Sequence, residues 1–501
     1  MKFAIQNLLI LICLVAGNCP AIGQYGFLKI YGINDTKSLN FDDLIWNKDG
    51  VVVRGNIYID SLNRWGLFLC LIDTSGSIVW QHIYPDSKGI DDVISNTPTR
   101  FTTTTDKGFL LPVSYFERGN TGVYKTDSIG NLEFTAEYIN SEKTMIPNNI
   151  VISSGNYFIS GIHQRNDYNV DIFVQKIDST GILKWLKYYG GNELNEFGEI
   201  IIDNLGRFQI GGQIFPLHYS ELPFEDRWRK PWIFSIDSCG SIMDEWIGDM
   251  EDGKAKGSFG LIQTKTGDWA MKYVELEKEG PITVYTKPAI SLLDSNFNLI
   301  WKQQIGDFNS PENAFFDLLY DSIKNNLIVV GQIGFDEKLQ GVIVKYSMEG
   351  EEIWKVITSS PINGRHYLAG VCISPSGSIF TAGRIEQDQP SRDYGWILKV
   401  TPDGCIDTLC TTSSILDQVY QKENVVVYPN PLTDILIIDW KNQPPFHSIL
   451  YCYDSTGSVR AGYEITDNHQ TFDLSDLPPG PLFYKIQSGN LVLKSGMLVK
   501  I

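Results

Sequence analysis

Repeated aspartates are the first residues in this sequence whose type and spacing could carry chemistry. Each lies three residues before a turn glycine, or before the residue in its place, and the five are Asp73, Asp127, Asp178, Asp237 and Asp294. Such carboxylates could bind Ca²⁺ or act as acid–base groups. An aspartate in a short turn also accepts backbone N–H groups, which explains the pattern without a ligand. We therefore favour a structural role for these aspartates.

Histidines and catalytic motifs give no second candidate for chemistry. The six histidines are dispersed along the chain, and no HExxH, GxSxG, P-loop or Rossmann fingerprint occurs. We predict no catalytic residue, no metal and no cofactor from these patterns. An enzymatic activity stays open, because a fold can assemble carboxylates that are distant in sequence into one site.

Aromatic and charged residues are mixed in the longest predicted loop, residues 215–230. Aromatic side chains in an exposed loop stack on sugars or contact proteins. A loop that only covers the edge of a sheet is the alternative, and we leave both interpretations open. The ligand-binding candidates in this loop are His218, Tyr219, Phe224 and Trp228.

The N-terminus has the features of a secretory signal peptide over residues 1–23. Lys2 precedes an apolar run at residues 8–16, and Ala-Ile-Gly before Gln24 supplies the small residues that a signal peptidase requires. A transmembrane anchor would need about 20 apolar residues, and lipid attachment at Cys19 is a second alternative. We expect the mature protein to be exported.

Export changes the interpretation of the cysteines, because disulfides persist outside the cytoplasm. Six of the eight cysteines lie beyond the signal peptide. Cys405 and Cys410 form the one close pair, which predicts a local disulfide at the end of the first large region. Cys70, Cys372 and Cys452 lie in alternating apolar stretches and are predicted to be buried thiols.

The elements that position these residues come from a repeat of 51 to 59 residues. Seven copies run from Asp73 to Thr401, each with an apolar run, a turn and usually an aromatic residue. A second hairpin lies between successive copies, so each period holds four short antiparallel strands. This period is typical of propeller blades. We expect four tryptophans to pack between blades: Trp80, Trp185, Trp301 and Trp354.

Residues 171–191, with the pattern repeated in register elsewhere, resemble the bacterial seven-bladed β-propeller repeat. The resemblance covers about residues 24–410 and implies a ring of seven four-stranded blades. The seventh copy stops at Gly404 without its last strand, while residues 25–31 resemble the last strand of another copy. Because an open ring would leave two unpaired edges, we expect the N-terminal strand to complete the last blade.

The pattern changes after a predicted linker at residues 411–422. Residues 423–501 contain short alternating strands separated by Pro- and Gly-rich turns, which predicts a small Ig-like β-sandwich. This segment resembles the type A C-terminal sorting domain of the type IX secretion system of Gram-negative bacteria, and an ordinary Ig-like module is the alternative. The resemblance is carried by Tyr428, Pro429, Asn430, Pro431, Gly457, Asp473, Leu477, Gly480 and Lys500. It implies export across both membranes and the outer-membrane secretion machinery as a partner.

Overall charge restricts the partners of the 501-residue chain. The formal charge of −18, from 41 basic and 59 acidic residues, disfavours nucleic acid and anionic membranes as partners.

The repeats, the N-terminal segment and the C-terminal segment together predict an all-β, monomeric protein with a seven-bladed propeller followed by a small sandwich. We expect this protein to be secreted or held at the cell surface and to bind a glycan or a protein. A polysaccharide hydrolase or lyase with axial carboxylates and a passive surface protein are the alternatives.

Overall fold

A computed structural model describes most of the chain as strands and turns. The described residues are 26–32, 36–59, 63–85, 99–115, 119–139, 144–166, 169–190, 195–214, 230–248, 255–279, 283–305, 313–335, 338–358, 362, 364–387, 392–406, 425–440, 448–454, 459–488 and 491–501. Among these residues no helix is long and apolar enough to span a membrane. Two compact units form, Met1–Thr408 and Leu409–Ile501. The predicted signal peptide and linker lie outside the described residues.

The first unit contains 28 strands in seven four-stranded antiparallel sheets, which we number as blades. The strands are β1 (Phe27–Tyr31); in blade 1, β2 (Thr36–Asn47), β3 (Gly50–Ile59), β4 (Arg64–Asp73) and β5 (Ile78–Pro85); in blade 2, β6 (Thr102–Thr103), β7 (Phe109–Tyr115), β8 (Asn120–Thr126) and β9 (Leu132–Tyr138); in blade 3, β10 (Met145–Ser153), β11 (Asn156–Asn166), β12 (Asn169–Asp178) and β13 (Leu183–Tyr189); in blade 4, β14 (Asn195–Ile202), β15 (Phe208–Ile214), β16 (Lys230–Ile236) and β17 (Ile242–Ile247); in blade 5, β18 (Ala255–Gln263), β19 (Trp269–Glu279), β20 (Thr283–Leu293) and β21 (Leu299–Gln304); in blade 6, β22 (Ala314–Asp321), β23 (Asn326–Phe335), β24 (Lys338–Ser347) and β25 (Glu352–Thr358); and in blade 7, β26 (Arg365–Ile373), β27 (Ile379–Gln387) and β28 (Arg392–Val400).

Strand order confirms the predicted seven-bladed ring and its closure. Within each complete blade the chain runs from one edge of the sheet to the other, and the first strands of most neighbouring blades contact one another, so these strands line the axis. Blade 7 receives its fourth strand from β1, which pairs with β28 from Phe27 opposite Lys399 to Tyr31 opposite Gly395. The N-terminal strand therefore joins the two ends of the ring.

Apolar residues on both faces of the blades explain why the second and third strands are buried along their length. In blade 3, Ile172 and Val174 share a cluster with Ile210 and Phe234 of blade 4. Similar packing joins blade 7 to blade 1, where Phe380 lies in one cluster with residues of β2, β3 and β4. Each sheet therefore buries one face against the preceding blade and the other against the following blade.

The repeated aspartates hold turns together, as the sequence predicted. Each carboxylate accepts N–H groups from the residues two and four places later, at 2.8 to 3.0 Å, and this holds for Asp73, Asp127, Asp178, Asp237 and Asp294. In blade 6 the hydroxyl of Ser347 takes the same position and accepts the N–H of Glu349 at 3.2 Å. These aspartates are therefore committed to the turn between third and fourth strands.

Aromatic residues of each blade pack against the turn between the third and fourth strands of the next blade. A β-carbon added to Gly130 would lie 2.9 Å from the Trp80 ring, and one added to Gly350 would lie 2.8 Å from Trp301. In blade 5 the glycine is replaced by Phe297, whose ring stacks on Trp246 at 5.1 Å. The prediction that tryptophans pack between blades is confirmed for Trp80, Trp185, Trp301 and Trp354.

A tyrosine hydroxyl reinforces several of these junctions, including the one that closes the ring. Tyr138 donates to the carbonyl of Gly181 at 2.9 Å, and Tyr189 donates to that of Gly240 at 2.8 Å. At the join between blades 7 and 1, Tyr31 donates to the carbonyl of Gly76 at 2.8 Å. The closing junction thus uses the same contact as the internal junctions.

The second unit is a small β-sandwich of two sheets, as predicted. The first has the order β29-β30-β33 and the second the order β32-β31-β34-β35. Inward-facing residues of both sheets, among them Leu436, Ile438, Leu450, Ile486 and Leu498, form one core. The strands are β29 (Val425–Tyr428), β30 (Ile435–Trp440), β31 (Ser448–Tyr453), β32 (Val459–Ile465), β33 (His469–Asp473), β34 (Gly480–Ser488) and β35 (Leu491–Lys500).

Candidate functional site

Charged residues from five blades meet at the axis of the propeller. Most innermost strands contain a β-bulge, and the residue just after it occupies the same position in each blade. In blade 2, whose first strand is short, Arg100 lies two residues before β6 at the corresponding place. We call these seven places the inner-ring positions: Asp43, Arg100, Asn149, Glu199, Gly260, Asp317 and Gly370.

Arg100 links three blades through one guanidinium group. Its Nη1 donates to Oδ1 of Asp43 in blade 1 at 2.9 Å and to Oδ2 of Asp317 in blade 6 at 2.7 Å. Its Nη2 donates to the other oxygen of Asp317, so that pair is bidentate. Since blades 2 and 6 are not neighbours, this ion pair crosses the centre of the ring.

Each axial carboxylate also accepts a backbone N–H from the next blade. The donors are Phe101 to Asp43 at 3.1 Å, Leu261 to Glu199 at 3.1 Å, and Val371 to Asp317 at 2.7 Å. Every donor follows the inner-ring position of its own blade by one residue. The carboxylates of blades 1, 4 and 6 therefore tie these blades to blades 2, 5 and 7.

Lys272 brings a second cation to the axis from the second strand of blade 5. It pairs with Gly260, where an added β-carbon would lie 2.5 Å from Cε of Lys272 and 2.9 Å from Oε2 of Glu199. The missing side chain at Gly260 gives the buried Lys272 room to pass beside Glu199. The described cluster thus contains three carboxylates and two cations.

Burial dominates the electrostatics of this cluster. It raises the pKa of the Asp43 and Glu199 carboxyls, against the opposing effect of the nearby cations, and it lowers the pKa of Lys272. Burial also disfavours the charged form of Arg100, but Asp317 and Asp43 together keep its pKa above the usual value. Among the described residues, no group of His, Cys, Asp or Glu has the arrangement of a metal site.

These axial residues were not predicted from any motif in the sequence. Arg100 is 57 residues from Asp43 and 217 residues from Asp317, so no local motif connects them. The signal in the sequence is a charged residue after the bulge in three of the inner strands, Asp43, Glu199 and Asp317, and it is visible only when the blades are aligned.

The ligand-binding candidates predicted in the 215–230 loop, His218, Tyr219, Phe224 and Trp228, lie outside the described residues. Cys70, Cys372 and Cys452 are buried as predicted. Cys405 lies beside the start of β1, where a β-carbon at Gly26 would approach its carbonyl oxygen to 2.5 Å. Since Cys410 is outside the described residues, the Cys405–Cys410 disulfide stays a prediction.

The sorting-motif residues hold the last strand of the sandwich in place. The side chain of Asn430 donates to the carbonyl of Met497 at 3.0 Å and accepts the N–H of Val499 at 2.9 Å. The backbone N–H of Leu432 donates to the carbonyl of Val499 at 2.9 Å. The segment after Tyr428 and Pro429 therefore lies along the free edge of β35.

The buried ammonium of Lys500 fastens the same strand to the turn that contains Leu477. Its Nζ donates to the carbonyls of Leu474 at 2.7 Å, Ser475 at 3.0 Å and Leu477 at 2.5 Å. Asp473 begins this turn and accepts the N–H of Ser475 at 2.9 Å. The remaining motif residues are Pro431 and Gly480, which lie in described segments, and Gly457, which does not.

Comparison with known proteins bears on both units. Residues 426–500 match the family described as the secretion system C-terminal sorting domain. No curated protein matches the chain. Among solved structures, an ulvan lyase from a new family of polysaccharide lyases is similar, with a TM-score of 0.52, 7% identity, and coverage of 71% of this chain and 93% of that chain.

Two further structures extend the comparison. An ulvan lyase of that family bound to -[GlcA(1-4)Rha3S]- has a TM-score of 0.51, 7% identity and the same coverage of 71% and 93%. The β-propeller domain of the trilobed protease from Pyrococcus furiosus has a TM-score of 0.41 and 10% identity, covering 72% of this chain and 94% of that chain. The chain is thus a seven-bladed β-propeller protein with a C-terminal sorting domain of the type IX secretion system, which directs it across both membranes to the cell surface or the medium.

Proposed function

We propose that the exported propeller is a binding protein for an uncharged glycan at the cell surface. The observation that carries this proposal is that the charged groups at the axis bind one another and the backbone of neighbouring blades. Arg100 is held by two carboxylates, and Asp43, Glu199 and Asp317 each accept a backbone N–H. Charged groups whose hydrogen bonds are made within the ring stabilise the scaffold. We therefore assign the ligand contacts to the loops.

One end of the ring is the better surface for such contacts. All loops between first and second strands, and between third and fourth strands, lie at the end with the tight aspartate turns. At the opposite end, second strands end and third strands begin, with β15 ending at Ile214 and β16 beginning at Lys230. The predicted candidates Tyr219 and Trp228 fall between these two positions in the sequence. Aromatic rings there would stack on sugar rings.

Charge favours an uncharged sugar over an acidic one. A chain with a formal charge of −18 repels polyanions at moderate ionic strength. The solved ulvan lyase complex contains an anionic disaccharide, which supports a glycan as the ligand class of a similar fold. The negative charge therefore favours neutral glycans as ligands of this chain.

Replacing Tyr219 or Trp228 by alanine is expected to weaken glycan binding about tenfold each, which corresponds to about 1.4 kcal/mol. A glycan array containing neutral and acidic sugars, followed by titration of the best neutral ligand into the full exported chain, measures this. Tyr320→Ala is the control, because Tyr320 lies beside the turn at the opposite end and donates to Asn325. Binding to no glycan on the array, or equal losses in all three variants, would contradict the proposal.

A polysaccharide lyase or hydrolase is the second candidate, and Glu199 is the observation that favours it. Its side chain is partly exposed, burial raises its carboxyl pKa, and Lys272 and Arg100 lie close enough to affect that pKa. A carboxyl with a raised pKa beside cations could donate or accept a proton during cleavage. The ulvan lyase is a polysaccharide-cleaving protein of similar fold.

If this candidate is right, Glu199→Gln should lower cleavage by at least about a hundredfold, the usual contribution of a general acid or base. Release of unsaturated ends or reducing ends from a polysaccharide panel measures cleavage by lyase or hydrolase chemistry, respectively. Glu352→Gln on the outer strand of blade 6 is the matched control. Cleavage that persists in Glu199→Gln, or none by the native chain, removes the candidate.

A further inference from the structure

An uninterrupted row of apolar side chains crosses the four-stranded sheet of the sorting domain. Val459 pairs with Tyr453, Tyr453 with Phe483, and Phe483 with Met497, so the row reaches from β32 to β35. Val459 is 56% exposed, Phe483 42% and Met497 52%. We call these four residues the apolar row.

The apolar row is not required for the core of the domain. Neighbouring residues on the same strands, Leu482, Tyr484 and Leu498, are buried in the core between the sheets. Because side chains alternate along a strand, Phe483 and Met497 face away from that core. With neighbouring strands about 4.8 Å apart, the row is about 14 Å long. Exposed apolar side chains that adjoin one another favour an interaction surface, whereas single exposed apolar residues carry no such meaning.

One edge of this sheet is closed to a partner strand. The side-chain amide of Asn430 donates to the carbonyl of Met497 and accepts the N–H of Val499, and the backbone N–H of Leu432 donates to the carbonyl of Val499. These are the groups that an added strand would need at β35. The face with the apolar row is therefore a more accessible docking surface than this edge.

The outer face of the other sheet has a different chemical character. Asp439 there accepts a hydrogen bond from the Tyr428 hydroxyl and pairs with His469; the His469 side chain is well exposed and that of Asp439 is partly exposed. Val426 and Ile435 are exposed on the same sheet, but they face Asp439 and Asp473 across the strands. Of the two sheets of the sorting domain, within the described residues, only the four-stranded one has exposed apolar side chains in a row from edge to edge.

We propose that the apolar row is the surface through which the outer-membrane secretion machinery binds the sorting domain, by means of an apolar surface of its own. Residues 426–500 match the secretion system C-terminal sorting domain. A domain that sorts a chain for secretion has to be contacted by the machinery that exports the chain. The row lies wholly within this matched segment. Its occupant is therefore a component of the transport apparatus, which engages the row before the exported chain leaves the outer membrane.

The test introduces one positive charge at a time into the full chain, expressed in a bacterium that has the type IX secretion system. Phe483→Lys and Met497→Lys change the apolar row, whereas Val426→Lys and Ile435→Lys are matched controls on the other sheet. We expect surface export to fall at least about tenfold in the first pair and to stay near the native level in the second pair. Thermal unfolding of each purified chain shows whether the sorting domain still folds.

A further pair of measurements separates docking from folding and from other occupants. Phe483→Leu keeps an apolar surface and should be exported at near the native level, unlike Phe483→Lys. A chain that carries a photoreactive residue at position 497 should cross-link to an outer-membrane component. Normal export of both row variants would overturn the proposal, as would equal loss in the Val426→Lys and Ile435→Lys controls. A purified chain that dimerises, and becomes monomeric with Phe483→Lys, would assign the row to a second copy and would also overturn it.

Discussion

Replacing Arg100 by methionine is expected to lower the free energy of unfolding of the propeller by about 3–5 kcal/mol. The side chains of Asp43 and Asp317 are only 4% and 6% exposed, and both carboxylates form an ion pair with this one guanidinium. Its removal leaves two negative charges buried near each other at the axis. The cost is that of unpaired buried charge, rather than the smaller net value of a hydrogen bond. Denaturant unfolding of the propeller, followed by tryptophan fluorescence, measures it.

The effect of Arg100→Met should depend on pH in a defined direction. Burial raises the pKa of Asp43 and Arg100 opposes this, so the variant should raise that pKa further. A carboxyl with a higher pKa in the folded chain binds its proton more tightly there, and protonation stabilises the folded chain as the pH falls through that pKa. The destabilisation should therefore be full above the raised pKa and smaller below it.

Arg207→Met supplies the control for this measurement. Arg207 is 48% exposed and also pairs with an aspartate, Asp203, within its own hairpin. The Asp203 side chain is buried, but without the guanidinium it still accepts the N–H groups of residues 205 and 207 and the side-chain amide of Gln209. Because these donors remain, we expect this change to cost less than about 1 kcal/mol. Equal effects of the two substitutions, or no effect of Arg100→Met, would show that the axial cluster does not hold the ring together.

Repetition explains why the architecture was predictable from the sequence. The turn pattern around Asp178 and Trp185 performs the same two tasks in most blades, since the carboxylate closes the turn and the ring covers the next blade's glycine. A missing last strand in the seventh copy likewise implied the closing role of β1. In each case the local sequence carries the interaction that builds the structure.

The axial cluster depends on residues that do not repeat. Its inner-ring positions hold Asp, Arg, Asn, Glu, Gly, Asp and Gly in the seven blades, so the position is constant while its chemistry varies. Lys272 belongs to a different strand and reaches the axis only because Gly260 lacks a side chain. Such contacts depend on ring closure, and no single blade contains them.

Deleting residues 423–501 is expected to abolish surface export and to leave a folded propeller in the periplasm. The sandwich has its own core of residues such as Leu436 and Ile486, and the seven sheets take no strand from it. Removal of the tail therefore exposes no open blade and leaves the closing pairing of β1 with β28 intact. The loss should be one of transport, with surface protein falling to background while the cellular amount is maintained.

Cell fractionation and protease treatment of intact cells measure this loss, and the propeller's unfolding transition shows that the truncated chain is folded. The reciprocal experiment attaches residues 423–501 to a periplasmic reporter protein, which should then appear at the surface. Attachment of the same tail with Lys500→Met is the control, because its ammonium holds β35 to the carbonyls of Leu474, Ser475 and Leu477. If the truncated chain reaches the surface at the native level, the tail is not what directs export. If the tail moves the reporter but its Lys500→Met form does not, export requires the folded sandwich with its last strand in place.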